Sequence, residues 1–292
     1  MPRSLNPTPT LPPDATEEER FDAFDEIRRL TPSDRTAIYR LLKRAQAGDL
    51  SGLEAVYELI YDEIPVDVEE FMLGAKYLNL KGLVNQDKVD LMIYFDLPQV
   101  REVDILAGSG SGKGFIAGCA MARTIYKLVC LRRADLFYML GPNSRIAVLN
   151  ASSSKDQASD VVFTEFKARV EHSPWFVGRG FKAGARKARF PKRIYGLSVS
   201  SISTAVFGYH TMMGVMDEAA FMLAGETDLA PGIHTGLMKS LTTRFPGAYK
   251  LLVTSTIRDT TDFVCQRVDD VKRRGVRIRH RPLDPPPPGE TY

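Results

Sequence analysis

Between residues 172 and 216 the chain carries neither Asp nor Glu. Acids are otherwise plentiful: 36 of them stand against 39 Lys and Arg in 292 residues, a formal net charge of +3. The gap is therefore local and is not a mark of a generally basic protein. Other absences bound the class. No apolar run approaches the ~18–20 residues of a membrane span, and the N-terminus lacks the apolar core of a signal peptide. Three cysteines, Cys119, Cys130 and Cys265, are odd in number and widely spaced. They form no disulfide framework or zinc pattern, which points to a reducing cytosol. His172, His210, His234 and His280 show no metal-ligand spacing, and no Ser-His-Asp or Cys-His arrangement is suggested. What remains, 44% hydrophobic and 26% charged, is the composition of a soluble globular protein. The length suits one large domain, or one domain with a smaller lobe.

The stretch that organises the rest is REVDILAGSGSGKGFIAG, residues 101–118. A short apolar run, interrupted by Asp104, reads as a strand. A glycine-rich turn follows, then Lys113, then an apolar helical run from Phe115. Strand, glycine loop, lysine and helix is the layout of a phosphate-binding P-loop. Glycines let backbone N–H groups converge on an anion, the helix start adds its positive dipole end, and the lysine reaches the β- and γ-phosphates. The loop positions are Ala107, Gly108, Ser109, Gly110, Ser111, Gly112, Lys113 and Gly114. Two differ from G-x-x-x-x-G-K-[ST]: Ala107 replaces the first glycine, and Gly114 replaces the hydroxyl that normally binds Mg²⁺.

Along the chain, residues 1–16 hold five prolines and read as a disordered tail. Residues 17–96 have helical spacing and read as a small helical lobe, with helices across 17–30, from Thr31 and Pro32 to Gly48, 53–61, 67–73 and 88–94. Residues 97–281 alternate strands (103–106, 145–150, 193–200, 211–216, 249–254) with helices (to about 131, 155–170, 233–245, 261–274). That alternation predicts an α/β fold, a P-loop NTPase with a mainly parallel central sheet flanked by helices. Residues 282–292 read as a Pro-rich tail or linker.

Three motifs fall at the carboxyl ends of three predicted strands, where open α/β sheets place ligands. The P-loop is the first. Asp217 and Glu218 follow a buried strand: the first carboxylate can hold Mg²⁺, and the second can orient and deprotonate water near a γ-phosphate. The bland alternative is that the pair caps the next helix. Thr254, Ser255 and Thr256 end the next strand, where hydroxyls can sense a γ-phosphate. In the acid-free stretch sit Arg179, Lys182, Arg186, Lys187, Arg189, Lys192 and Arg193. They read equally as a solvated loop or hairpin and as a functional run, either a DNA-tracking surface or an arginine-finger source. The aromatics around them, Trp175, Phe176, Phe181 and Phe190, read as packing anchors, and Cys119 as core.

These residues carry a resemblance. AGSGSGKG at 107–114, VMDEAAFM at 215–222 and LLVTST at 251–256, in that order, resemble the ATPase portion of a tailed-bacteriophage terminase large subunit. NASSSKDQASDVVFTEFKARVEHSPWF at 150–176 and VDVEEFMLGAKYLNL at 66–80 extend the likeness. The resemblance implies ATP and Mg²⁺ as cofactors, Lys113 on the β/γ-phosphates, Asp217 on Mg²⁺, Glu218 activating water, and Thr254 to Thr256 as the coupling motif. Gln99, before the loop, is the candidate adenine contact. It further implies double-stranded DNA, a portal protein and a small terminase subunit as partners, and a homo-oligomeric ring. The place of work is the portal vertex of a procapsid in the host cytoplasm, with no membrane.

The chain departs from the family pattern. Family loops often carry an arginine at the position of Ser109, so the run from Arg179 to Arg193 is the expected source of a substitute. The residues after Asp262 are too few for the family's nuclease domain, so cutting is not expected of these residues. Two other readings follow from the same residues: a helicase-like DNA translocase, and a non-catalytic nucleotide- or DNA-binding module with a decayed loop.

Overall fold

The computed structural model describes residues 57, 60–151, 161–199, 209–224, 227–259 and 262–273. The expected tail, the helices before residue 57, the Ser-rich turn after Ala151 and the Pro-rich end lie outside the described residues. Among the described residues, two short helices between residues 61 and 101 precede the sheet. Helix α1 (Val68–Leu73) is capped by Asp67 and α2 (Gln86–Asp96) by Asn85, whose side chains accept from the Glu70 and Lys88 amides. Strand β1 (Glu102–Leu106) leads into α3 (Lys113–Cys130). Then come α4 (Ala134–Phe137), β2 (Ile146–Ala151), α5 (Val162–His172) and α6 (Pro174–Val177). A hairpin of β3 (Lys182–Ala183) and β4 (Lys187–Phe190) precedes β5 (Ile194–Val199) and β6 (His210–Met216). A two-stranded ribbon of β7 (Leu223–Ala224) and β8 (Thr227–Asp228) leads to α7 (Ala230–Arg244), β9 (Lys250–Ser255) and α8 (Phe263–Arg273).

The seven-stranded sheet runs β1-β9-β6-β2-β5-β4-β3. From β1 to β5 every pairing is parallel; β4 and β3 continue the sheet antiparallel. The mainly parallel sheet read from the sequence is observed. The basic run, read as a solvated loop or hairpin or as a functional surface, contains the β3–β4 hairpin, in which Lys187 and Arg189 point to solvent while Ala188 and Phe190 are buried.

The central strands are buried on both faces, as parallel strands between helix layers must be. Ile146 and Val148 pack into one core and Ala147, Leu149 and Ala151 into the other. The first core holds the inner faces of α1, α2, α3 and α5; the second holds α7 and the start of α8. Helices α3 and α5 approach very closely at Gly118, where a Cβ would stand 2.8 Å from the Phe166 amide nitrogen. Only glycine fits that crossing. Aromatic rings bind the first core to the lobe: Tyr126 of α3 lies 4.8 Å from Phe71 and 4.7 Å from Trp175, centroid to centroid. Trp175, Phe176 and Phe190 are buried, which makes them packing anchors.

Buried charges fix the lobe to the sheet. Arg123 donates to the Val66 carbonyl (2.7 Å) and pairs with Asp96 (3.0 Å), which also meets Lys127 at 3.0 Å. Burial alone would raise the Asp96 carboxyl, but Lys127 and Arg123 outweigh it and hold it below its usual value. Lys250, the first residue of β9, donates to the carbonyls of Phe95 (2.6 Å), Leu97 (2.7 Å) and Val100 (2.5 Å). It closes the carboxyl end of α2 onto β9, satisfying carbonyls that the helix end leaves open.

Candidate active site

The sheet order places β9 between β1 and β6, so the ends of three strands converge. Leu106 pairs with Ser255 and Met216 with Val253. The P-loop, Asp217–Glu218 and the Thr-Ser-Thr triplet therefore come together across two strand spacings, about 10 Å.

The loop turns on glycine. Gly110 and Gly112 have φ of 82° and 85°, a region that other residues enter at a cost. Gly112 caps α3 without any side-chain bond, so the first amides of α3 remain open to an outside acceptor. Ser111 Oγ is buried, at 3% exposure, and has no partner among the described residues. Lys113 is buried too. Its Nζ donates to Thr256 Oγ1 at 2.7 Å and stands 2.9 Å from Glu218 Oε1, with the Gly108 carbonyl at 3.5 Å.

The other two motifs interlock around that lysine. Thr254 Oγ1 donates to Asp217 Oδ1 at 2.6 Å, and the Thr256 amide donates to Glu218 Oε2 at 3.1 Å. Ser255 Oγ accepts from the Ala220 amide at 3.0 Å. Burial pushes the Asp217 carboxyl above its usual range, and the Thr254 hydroxyl works against that shift. Glu218 adopts φ 50° and ψ 50°, left-handed backbone that a non-glycine residue pays for and that only its surroundings can enforce. The capping alternative for this pair does not hold: only a three-residue 3-10 turn follows, and Glu218 makes no side-chain cap bond to it.

Magnesium fits this donor set in one way. Among the described residues no group of three or more His, Cys, Asp or Glu converges as a metal cage. An ion held by one carboxylate, substrate phosphates and water needs no cage, and Asp217 would be that carboxylate. Gly114 contributes no hydroxyl, and a Cβ there would lie 3.0 Å from Val161 Cγ1. The missing hydroxyl and the closeness of Val161 belong together.

Two groups of expected residues are not brought here. Gln99 lies in the turn before β1, at the opposite end of that strand from the loop, a strand length of about 16 Å away. The basic run is also elsewhere. Strand β4 stands three strand spacings from β6, about 14 Å, and the segment after it lies at the amino ends of the parallel strands. Lys192 and Arg193 therefore lie at the far end of the sheet from the loop, whereas Arg186, whose carbonyl accepts from the Ser198 amide, lies at the carboxyl end of β5.

That run divides by partner. Arg179 pairs with Glu63 and lies 4.1 Å above the Trp175 ring. Lys192 meets Asp62 at 2.8 Å and donates to the Val129 (2.6 Å) and Leu131 carbonyls at the end of α3. Lys187 donates to Tyr209 Oη and Arg193 to the Asn143 carbonyl, both at 2.9 Å. Arg186 is exposed on the approach to β4. Lys182 and Arg189 face each other across the hairpin, both exposed. With Lys192 and Arg193 they line a cleft of about 380 Å³. Like charges directly opposite on a hairpin repel, which favours an anionic neighbour.

Comparison with known proteins bears on the whole arrangement. A family model described as "Uncharacterized protein MJ0330, N-terminal P-loop domain" matches residues 37–277. Comparison with curated proteins gives no match. Among solved structures, the large terminase of bacteriophage HK97 is similar at 15% sequence identity with a TM-score of 0.44, over 66% of this chain and 37% of that one. The chain thus spans little more than a third of the length of that protein.

Proposed function

The chain belongs to the family of the N-terminal P-loop domain of the uncharacterized protein MJ0330, and from that premise and the site geometry we propose an ATP-hydrolysing motor domain that moves double-stranded DNA. The observation that carries the hydrolytic part is the contact of all three motifs at Lys113, 2.9 Å from Glu218 and 2.7 Å from Thr256. A binding module alone needs a lysine and glycines. It has no use for a carboxylate held in strained backbone beside them.

In this reading the open amides of α3 and Lys113 bind the phosphate chain. Arriving phosphate competes with Glu218 for Lys113 and releases the carboxylate. Glu218 then orients water against the γ-phosphorus and takes its proton, and ADP leaves. Asp217 would hold Mg²⁺, and the bound ion supplies charge neutralisation on the phosphate oxygens. Thr256 touches both Lys113 and Glu218, so a change at the phosphate is felt on β9. The DNA part rests on the ordered sequence resemblance to packaging ATPases and on the exposed cations of the β3–β4 hairpin. An arginine finger from the run would serve a neighbouring copy in a ring. A portal protein and a small terminase subunit are partners that only the resemblance supports.

Steady-state hydrolysis of ATP, with and without double-stranded DNA, tests the reading. Lys113→Ala should abolish hydrolysis and nucleotide binding; Glu218→Gln should abolish hydrolysis and keep binding. Wild-type turnover in Glu218→Gln sinks it. Nucleotide binding by the wild type without hydrolysis, with DNA present, favours the binding-module alternative.

A further inference from the structure

Helix α2 and strand β1 form a down-and-up pair of matched length. Eleven residues of helix and five of strand each span about 16 Å. The first turn of α2 therefore returns to the level of the P-loop, and Lys88 lies in that turn. A Cβ built on Gly112 would meet Lys88 Nζ at 3.1 Å and its Cε at 3.3 Å. The ammonium thus rests against the last glycine before Lys113.

That position is electrostatically unfavourable as it stands. Lys88 is a cation in the first turn of its own helix, beside the amino end of α3, and both helix ends are positive. Lys113 adds a third positive charge, but Glu218 answers it at 2.9 Å. No described carboxylate pairs with Lys88. The same loop holds Ser111 Oγ, buried and without a partner among the described residues. An uncompensated ammonium and an orphaned hydroxyl on one glycine loop call for the same thing, a multiply charged oxyanion. Lys88 is also held in place from a distance, because Lys250 clamps the far end of α2 and Arg123 and Lys127 grip Asp96 there. The side chain is carried on a fixed helix, which lowers the cost of ordering it on a ligand.

We propose that Lys88, from the helical lobe, is a second phosphate-binding lysine of this site, contacting the phosphate chain of a bound nucleoside di- or triphosphate alongside Lys113. The inference rests on the nucleotide reading of the loop and deepens it. It makes the lobe part of the binding site.

Affinities of ATP, ADP and AMP are measured for the wild-type chain and for Lys88→Ala, Lys88→Arg, Lys88→Glu and Lys113→Ala, each with the ligand-free melting temperature. Losing one charge-assisted contact should weaken ATP and ADP about ten-fold in Lys88→Ala, more in Lys88→Glu, with AMP little changed. Lys88→Arg should stay near the wild type. The ligand-free melting temperature should not move, because Lys88 forms no ion pair among the described residues. Wild-type affinity in Lys88→Ala, when Lys113→Ala has lost binding, overturns the proposal and leaves the nucleotide reading intact. Equal losses in Lys88→Ala and Lys88→Arg with a lower melting temperature make Lys88 structural and also overturn it. A wild-type chain that binds none of the three nucleotides overturns the nucleotide reading, and this inference with it.

Discussion

Lys113 and Glu218 come from two strand ends separated by a third, and they pair at 2.9 Å. The lysine side chain is 8% exposed and the carboxylate 38%, so the pair sits at the mouth of the site. A nucleotide must take Lys113 from Glu218. Removing the negative charge removes the competitor: Glu218→Gln should bind ATP more tightly than the wild type. A pair at this exposure contributes no more than about 1 kcal/mol, which corresponds to about five-fold in Kd. Titration with a non-hydrolysed ATP analogue checks it; weaker binding in the variant argues against the competition.

The crowding at Gly114 decides what restoring the usual hydroxyl would do. Gly114→Ser alone pushes its Cβ to within 3.0 Å of Val161 Cγ1, so it should lower the melting temperature and bring little gain in Mg²⁺ dependence. The double variant Gly114→Ser with Val161→Ala makes room. It should reach half-maximal hydrolysis at a lower Mg²⁺ concentration than the wild type. If the single variant already does so with an unchanged melting temperature, Val161 is not the obstacle.

The seven cations of the acid-free stretch should separate into two groups under substitution. Arg179→Ala and Lys192→Ala lose buried or capping contacts and should each destabilise the fold by roughly 1–2 kcal/mol, measured by chemical denaturation. Lys182→Glu with Arg189→Glu keeps like charges opposite each other and should leave stability about unchanged, and should weaken DNA binding with a flatter dependence on salt. A double variant that binds DNA like the wild type at every salt concentration removes the hairpin from the DNA surface. If only hydrolysis by assembled rings falls, the hairpin acts across a subunit boundary.

Acid should loosen the joint between β1 and α8. Arg267 donates to Glu102 at 2.8 Å and to Asp104 at 3.1 Å, and its Nη1 stands 2.6 Å from His234 Nε2. His234 and Arg267 hold the Glu102 carboxyl down at about 2, against an ordinary 4.5. A carboxylate held low in the folded state contributes stability that is fully present above about pH 4.5 and is lost as pH falls towards 2. The shift corresponds to at most about 3 kcal/mol. Glu102→Gln should therefore be less stable than the wild type at pH 7, and the difference should shrink between pH 4.5 and 2. A difference that stays constant over that range would falsify the linkage.

Much of this site was legible because its chemistry is local in sequence. A glycine loop, two carboxylates after an apolar strand, and three hydroxyls after another each carry their own signal, and parallel topology brings strand ends together without further instruction. What escaped was contact between distant residues. Asp104 reads as a flaw in a strand, and only the fold puts Arg267 against it. Lys250 reads as one polar residue in an apolar run, yet it closes a helix 155 residues earlier, at the Phe95 carbonyl. Lys88 carries no motif at all; its one anomaly is a cation in a first turn. Gln99 is close to the loop in sequence, yet that closeness is the length of a strand in space.

The edge position of β1 sets an order of events during synthesis. Among the described residues its only partner is β9, with Glu102 opposite Leu251 and Leu106 opposite Ser255. The loop that follows β1 is made early, but the strand that fixes its base is made about 150 residues later. Until Ser255 has left the ribosome, the loop has no Thr256 or Glu218 network to rest on, and long-range pairing of this kind is slow to close. The chain is thus kept from engaging a nucleotide productively until nearly all of its sheet exists.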